Sequence, residues 1–272
     1  MKQIVMRLLT IVVFCLSAIS AQASEILVIG GDGAGGSGVP DRVNNFYNGL
    51  AGHTSTLGGN VITTPALAGV ELLWAIQPGN DYTADEILAM SSYLATGGRI
   101  AFMGEHGSSF GANENIRINL ALAALSSAMS IQNGNIQDGG SQTALRSNGE
   151  ILTHALTEGV DSYNYAAFAP ILGAPEVLML GHNLTSVMMG YENIGAGSIF
   201  LITDQNVFDS SRLNQGGNAR MFENLLLADT GAPPPPPQCG LPGQPPCPTP
   251  VPNTIPLIGL GLALLVFRKL KN

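Results

Sequence analysis

The chain reads as an α/β protein, a three-layer sandwich around a mostly parallel sheet. Three observations predict it. Short apolar runs alternate with helical patterns from residue 25 to residue 228. The runs "ELLWAIQ", "RIAFMG" and "SIFLITD" are apolar at nearly every position, as strands buried on both faces are. Between 150 and 195 several short strand-like runs follow one another with no obvious helix, which suits antiparallel strands added at one edge.

The elements follow in order. "EILVIGG" is a first strand running into glycines, and "VPDRVNNFYNGLA" a helix with Asp41 near its start. "NVITT" reads as the second strand, with His53 in the loop before it. "ELLWAIQ" is the third and central strand, with Trp74 in the core. In "YTADEILAMSSYLATGG", Thr83 stands three residues before Glu86, the capping-box spacing. Ile87, Met90 and Leu94 share one face of that helix, and Gly97-Gly98 ends it. "RIAFMG" is the fourth strand and "NENIRINLALAALSSAM" a helix. The pattern fades over residues 129–160, rich in Gly, Asn and Gln. Strand-like "YNYAAFA", "EVLMLG", "SVMMGYE" and "SIFLITD" come next, then a last helix through "NARMFENLLLA".

This domain, residues 24–231, lies between two unlike ends. Lys2 and Arg7, the apolar run Leu8 to Ile19, and Ala21-Gln22-Ala23 have the form of a signal peptide, with the mature chain starting at Ser24. Residues 232–250 are a proline-rich linker, which favours an extended, unpacked chain. Residues 251–272 close with an apolar run, Ile255 to Phe267, followed by Arg268, Lys269 and Lys271. At a helical rise that run covers only about 20 Å of a roughly 30 Å hydrocarbon core. The basic end would stay on the cytoplasmic side.

Between these ends lie only six basic residues, all Arg, and all nineteen acidic ones, a net charge of −13. Such a body repels phosphate backbones, so nucleic acid is not expected as a partner. Past the signal peptide only Cys239 and Cys247 remain, both in the linker. In an oxidising compartment the expected outcome is a local disulfide between them.

Val251-Pro252-Asn253-Thr254, then the Gly/Leu-rich apolar run, then the basic end, resembles the PEP-CTERM family of sorting tails. Asn253 stands where that family usually has Glu. The resemblance implies recognition by an exosortase in the inner membrane of a Gram-negative bacterium, removal of the tail, and delivery to the cell surface or extracellular matrix. Exosortase systems are associated with exopolysaccharide, so polysaccharide is the partner it implies. In the body, the run from Glu71 to Gly104 resembles the class I glutamine amidotransferase-like fold, flavodoxin-like in outline. "SIFLITDQNVF" and "GGNARMFENLLL" fit the closing strand and helix of that superfamily's non-catalytic branches. In the enzymes the turn after the fourth strand carries the catalytic Cys. Here it is Gly104-Glu105-His106-Gly107, and the body has no Cys. With no thiolate to attack, glutaminase chemistry does not carry over.

Ligands bind open α/β sheets outside the carboxyl ends of strands. That rule gathers Asp32, Gln77, Glu105, His106 and Asp204 into a candidate ligand crevice, for a cation or a sugar. An acidic strand-end cluster of Asp32, Glu105 and Asp204 is one hydrolase alternative. "GSSFG", residues 107–111, offers another, with Ser109 as nucleophile. His154 or His182 would be its base, and Asp161 or Asp204 would orient it. "GDGAGG", residues 31–36, matches the dinucleotide fingerprint, but Asp32 opposes a pyrophosphate and no acidic residue closes the second strand. No cofactor is therefore expected, and a metal in the crevice is left open. Asn183-Leu184-Thr185 reads as a turn. The expectation is an exported, non-enzymatic surface or matrix protein, associated with polysaccharide, with a surface hydrolase as the alternative.

Overall fold

The computed structural model of the protein describes residues 24–31, 38–108 and 110–228. The signal-like N-terminus, Asp32, Ser109, Cys239, Cys247 and the 251–254 motif lie outside the described residues. Among those described, no helix is long and apolar enough to cross a membrane.

The first half is built of strand–helix units. β1 (Ser24–Gly30) leads to α1 (Val39–Asn48), then β2 (His53–Leu57) and β3 (Val70–Ile76). α2 (Ala84–Ala95), β4 (Arg99–Met103) and α3 (Ala112–Ala124) follow. The middle of the chain holds β5 (Ser130–Ile131), β6 (Gln142–Leu145), β7 (Ser162–Tyr165), β8 (Ile171–Leu172), β9 (Glu176–Leu180) and β10 (Val187–Ile194). β11 (Gly197–Ile202), a 3-10 turn (Gln205–Phe208), α4 (Ser210–Leu213) and α5 (Asn218–Leu227) close the domain.

The main sheet runs β2-β1-β3-β4-β11-β10-β8-β5, with β9 also paired to β10. The pairs from β2 to β11 are parallel, in the flavodoxin-like order. Those from β10 outward are antiparallel, as the run of short strands predicted. β6 and β7 form a separate antiparallel pair.

Strand residues alternate between two cores. Leu72, Trp74 and Ile76 of β3 face α1 and α5, packing with Val43, Tyr47, Phe222 and Leu225. Leu73 and Ala75 face α2 and α3, packing with Met90, Leu94, Ile118 and Leu122. Helices on both faces of the sheet make three layers.

Two expectations need correction. The second strand is His53–Leu57, not "NVITT", and His53 opens it rather than preceding it in a loop. Only Ser55 of β2 is buried, because β2 is an edge strand packed on one face, so it carries no apolar run. Residues 60–64 instead cover the start of α2. There Ile62 is buried, and its N–H donates to Glu86 Oε1 at 3.1 Å.

Candidate functional site

The strand ends bring three of the predicted residues together. Ile76, Met103 and Ile202 are register partners across β3, β4 and β11. The residues just beyond them, Gln77, Glu105 and Asp204, therefore share one edge of the sheet. All three are buried. Gln77 Nε2 donates to Gln205 Oε1 at 2.9 Å, and the Gln205 N–H hydrogen-bonds to the Glu105 carboxyl.

Glu105 is pinned from several sides. Asn115 Oδ1 accepts from its N–H at 2.9 Å, and Asn115 Nδ2 donates to its carbonyl at 2.6 Å. Its Oε1 accepts the His106 N–H at 3.0 Å. Oε2 is buried with no hydrogen-bond partner. Burial, and next the negative charge of Asp204, push this carboxyl from its ordinary 4.5 to about 8. Gly111, at φ +73°, makes the space: a Cβ there would lie 2.4 Å from Glu105 Cβ.

Asp204 differs. It is fully buried, and both oxygens are in use: Oδ2 accepts from Ala166 N–H at 2.7 Å and Oδ1 from Asn206 N–H at 2.9 Å. Burial raises it to about 6, against the lowering by those two bonds. It ties the 3-10 turn to the β7–β8 connection, an architectural task.

His106 stands at the rim. Its Nδ1 lies 3.2 Å from Ser108 Oγ, and its Nε2 lies 3.9 Å from Glu105 Oε1. Burial lowers its pKa, favouring the neutral imidazole. The serine that the structure sets against an imidazole is thus Ser108. The other proposed triad members have different partners. His182 Nδ1 meets Glu150, not Asp204, and His154 Nε2 meets Glu176 at 2.9 Å. Asp161 is exposed beside Arg146. Asn183 Oδ1 accepts from the Thr185 and Ser186 N–H groups, so the sequon is a turn. Among the described residues, no group of three or more His, Cys, Asp or Glu is arranged to hold a metal ion.

A second feature escaped the sequence reading. A crevice of about 300 Å³ opens at the carboxyl ends of β1 and β3. Here the strand order reverses, since the chain goes from β1 to one side for β2 and returns to the other side for β3. In doubly wound sheets ligands bind at such a switch point. Gly30 lets the two strands close tightly below it: a Cβ at Gly30 would lie 2.3 Å from the Ile76 carbonyl oxygen. Asn60, Asn80, Asp81, Tyr82 and Thr83 supply polar and aromatic lining.

The walls of this crevice are fixed. The capping box of α2 is complete, with Thr83 Oγ1 accepting from Glu86 N–H and Glu86 Oε2 accepting from Thr83 N–H. Through Ile62, the same Glu86 holds the 60–62 segment. Arg117 Nη1 donates to the Pro78 carbonyl at 3.0 Å and its Nε sits 3.6 Å from Asp81. With Glu86, Asp81 and Asp85 around it, the N-terminus of α2 offers nothing to an anion.

No family model matches the sequence, and no curated protein matches it. Solved structures do match the fold. The N-terminal domain of mmIFT52 aligns with a TM-score of 0.58 and 17% identity, over 76% of this chain and 99% of that one. Cytoplasmic protein STM1381 from Salmonella typhimurium LT2 aligns at 0.56 and 12% identity, over 74% of this chain and 98% of that one. Cytoplasmic protein STM3548 from Salmonella typhimurium aligns at 0.52 and 9%, over 74% and 97%. At these identities the likeness is one of fold alone; the strand order makes this a flavodoxin-like α/β sandwich domain.

Proposed function

We propose that the protein is an exported bacterial surface or matrix component whose α/β domain binds a small neutral polar ligand, a saccharide unit, without transforming it. The crevice at the β1/β3 switch point carries this reading. Its volume falls at the lower end of small-molecule sites. Asn60, Asn80 and Asp81 suit ligand hydroxyls, and Tyr82 adds an aromatic ring. The acidic, already capped start of α2 disfavours phosphates and carboxylates. Export, tail removal by an exosortase-type enzyme and association with the cell's polysaccharide rest on the two chain ends. Two measurements test the proposal. The intact mass of protein released from native cells should begin at Ser24 and end near Pro252-Asn253-Thr254; a full-length species found only in membranes would overturn the sorting reading. Binding of the released domain to neutral saccharides should fall about tenfold in Asn80→Ala, the worth of one good hydrogen bond. Undiminished binding would refute the crevice.

One observation favours a second reading. Ser108 Oγ lies 3.2 Å from a neutral His106 in the loop between β4 and α3, where related folds place nucleophiles. A surface hydrolase would use that pair. Labelling by a fluorophosphonate probe, abolished in Ser108→Ala, would establish it. An unlabelled domain would remove it.

A further inference from the structure

Two buried oxygens at the centre of the sheet edge have no partner, Glu105 Oε2 and Gln77 Oε1. An orphaned buried polar atom costs on the order of 1–3 kcal/mol. Here two occur on the ends of adjacent strands, joined through one residue, Gln205. Several neighbouring polar atoms already have partners. Glu105 Oε1 holds the His106 N–H, Gln77 Nε2 holds Gln205, and both Asp204 oxygens hold backbone. Gln77 also takes a φ of +37°, in the left-handed region that a branched or long side chain avoids. Such strain persists where the surroundings impose it, and it clusters at sites that do something.

We propose that Glu105 and Gln77 form a second recognition point, distinct from the crevice lining, that takes one hydroxyl group of a neutral ligand. The chemistry narrows the ligand. Asp204 and Asp209 add negative potential at Glu105, so an anion is repelled. A carboxylic acid that keeps its proton offers Oε2–H as donor, and Gln77 Oε1, on the end of the adjacent strand, is an acceptor. A hydroxyl both accepts and donates, so it satisfies the two at once. Ammonium only donates and would displace the Glu105 proton. Pro78 and Gly79, which line the crevice, follow Gln77 directly in the chain, so one peptide segment connects the two points.

The charged groups that face Glu105 are His106 on its own loop and Asp204 and Asp209 on the connection after β11. Asp209 is itself paired with Arg42 of α1 and Arg212 of α4. Ionisation of Glu105 removes the donor, so the hydroxyl should be lost as pH rises past about 8.

The proposal rests on the saccharide reading for its ligand class but not on the crevice. The test is an NMR titration of the purified domain with D-glucose, D-galactose, D-mannose and N-acetylglucosamine, with ammonium chloride in parallel. The Glu105 carboxyl carbon and the Gln77 side-chain amide report the second point; the Asn80 amide reports the crevice. At least one sugar should shift both Glu105 and Gln77, more weakly at pH 9 than at pH 7. Gln77→Leu should lower that affinity about tenfold. The isosteric Glu105→Gln should keep it and lose the pH dependence. Sugar shifts at Asn80 alone would overturn this inference and leave the crevice standing. Shifts at Glu105 and Gln77 alone would do the reverse. Response to ammonium but to no sugar, or to nothing added, would overturn it as well.

Discussion

The ends of β4 and β11 lie side by side, and each carries a buried acid, yet the two acids are held in different ways. Asp204 spends both oxygens on backbone N–H groups of neighbouring segments. Glu105 spends one and leaves the other without a partner. Both are raised by burial, Glu105 further, because the negative charge of Asp204 adds to its burial while Arg212 offsets part of that of Asp204. A buried acid whose hydrogen-bonding capacity is complete belongs to the architecture. One left incomplete, on the edge where this fold binds ligands, is the better place to look for function.

The largest effect should come from breaking the complete one. Asp204→Ala leaves the Ala166 and Asn206 N–H groups buried without an acceptor, and should destabilise the domain by about 3–5 kcal/mol. Urea denaturation measures it. A loss below about 1 kcal/mol would mean that the two acids are not different in kind.

Next comes pH. An acid raised in the folded state holds its proton more tightly there than in the unfolded chain, so its contribution is full at low pH and declines as pH rises. For Glu105 the decline runs from about 4.5 to about 8, and for Asp204 from about 3.8 to about 6. Glu105 alone should cost on the order of 3–5 kcal/mol across its window. Glu105→Gln should flatten the stability curve between pH 6 and 8 and leave the domain more stable at pH 8. A curve that keeps its slope in this variant would place the raised group elsewhere.

Gly111→Ala is a sterically driven counterpart. It puts a methyl 2.4 Å from Glu105 Cβ and forces an alanine to φ +73°. A loss of about 1–3 kcal/mol is expected. The Glu105 carbon resonance should move with it. Unchanged stability would show that the loop can yield and that Glu105 is less tightly held than its contacts indicate.

These regions were not equally legible in the sequence. The Thr83–Glu86 box and the apolar run of β3 carry local signals, and both stand where the spacing put them. β2 was misread because an edge strand packed on one face, "HTSTL", needs no apolar run. Residues 129–160 gave no pattern because bonds from side chains to backbone, not a regular apolar repeat, hold them. Asn119 brackets Ile131 with bonds to its N–H and carbonyl, and the Arg146 guanidinium gathers the Val160 and Leu152 carbonyls. The strand-end rule found Gln77, Glu105 and Asp204, but residue types alone could not say that one acid is satisfied and the other is not. The crevice stayed hidden because Asn60 and Asn80–Thr83 belong to separate loops. They meet only once the strand order creates the switch point between β1 and β3.

The smallest stability effect should fall on the crevice. Asp81 is largely exposed, and its contact with Arg117 is a surface ion pair at 3.6 Å. Such a pair contributes about 0–1 kcal/mol. Asp81→Asn should therefore change stability by no more than about 0.5 kcal/mol. It keeps an oxygen acceptor but removes the charge that strengthens a hydrogen bond to a ligand hydroxyl. Saccharide affinity should drop severalfold while the urea midpoint stays in place. That split between binding and stability separates a residue that serves a ligand from one, like Asp204, that serves the fold. If affinity and midpoint fall together, Asp81 acts through Arg117 and Pro78 on the crevice wall instead. If neither moves, the contacts to the ligand come from Asn60, Asn80 and Tyr82, and Asn80→Ala alone should carry the loss.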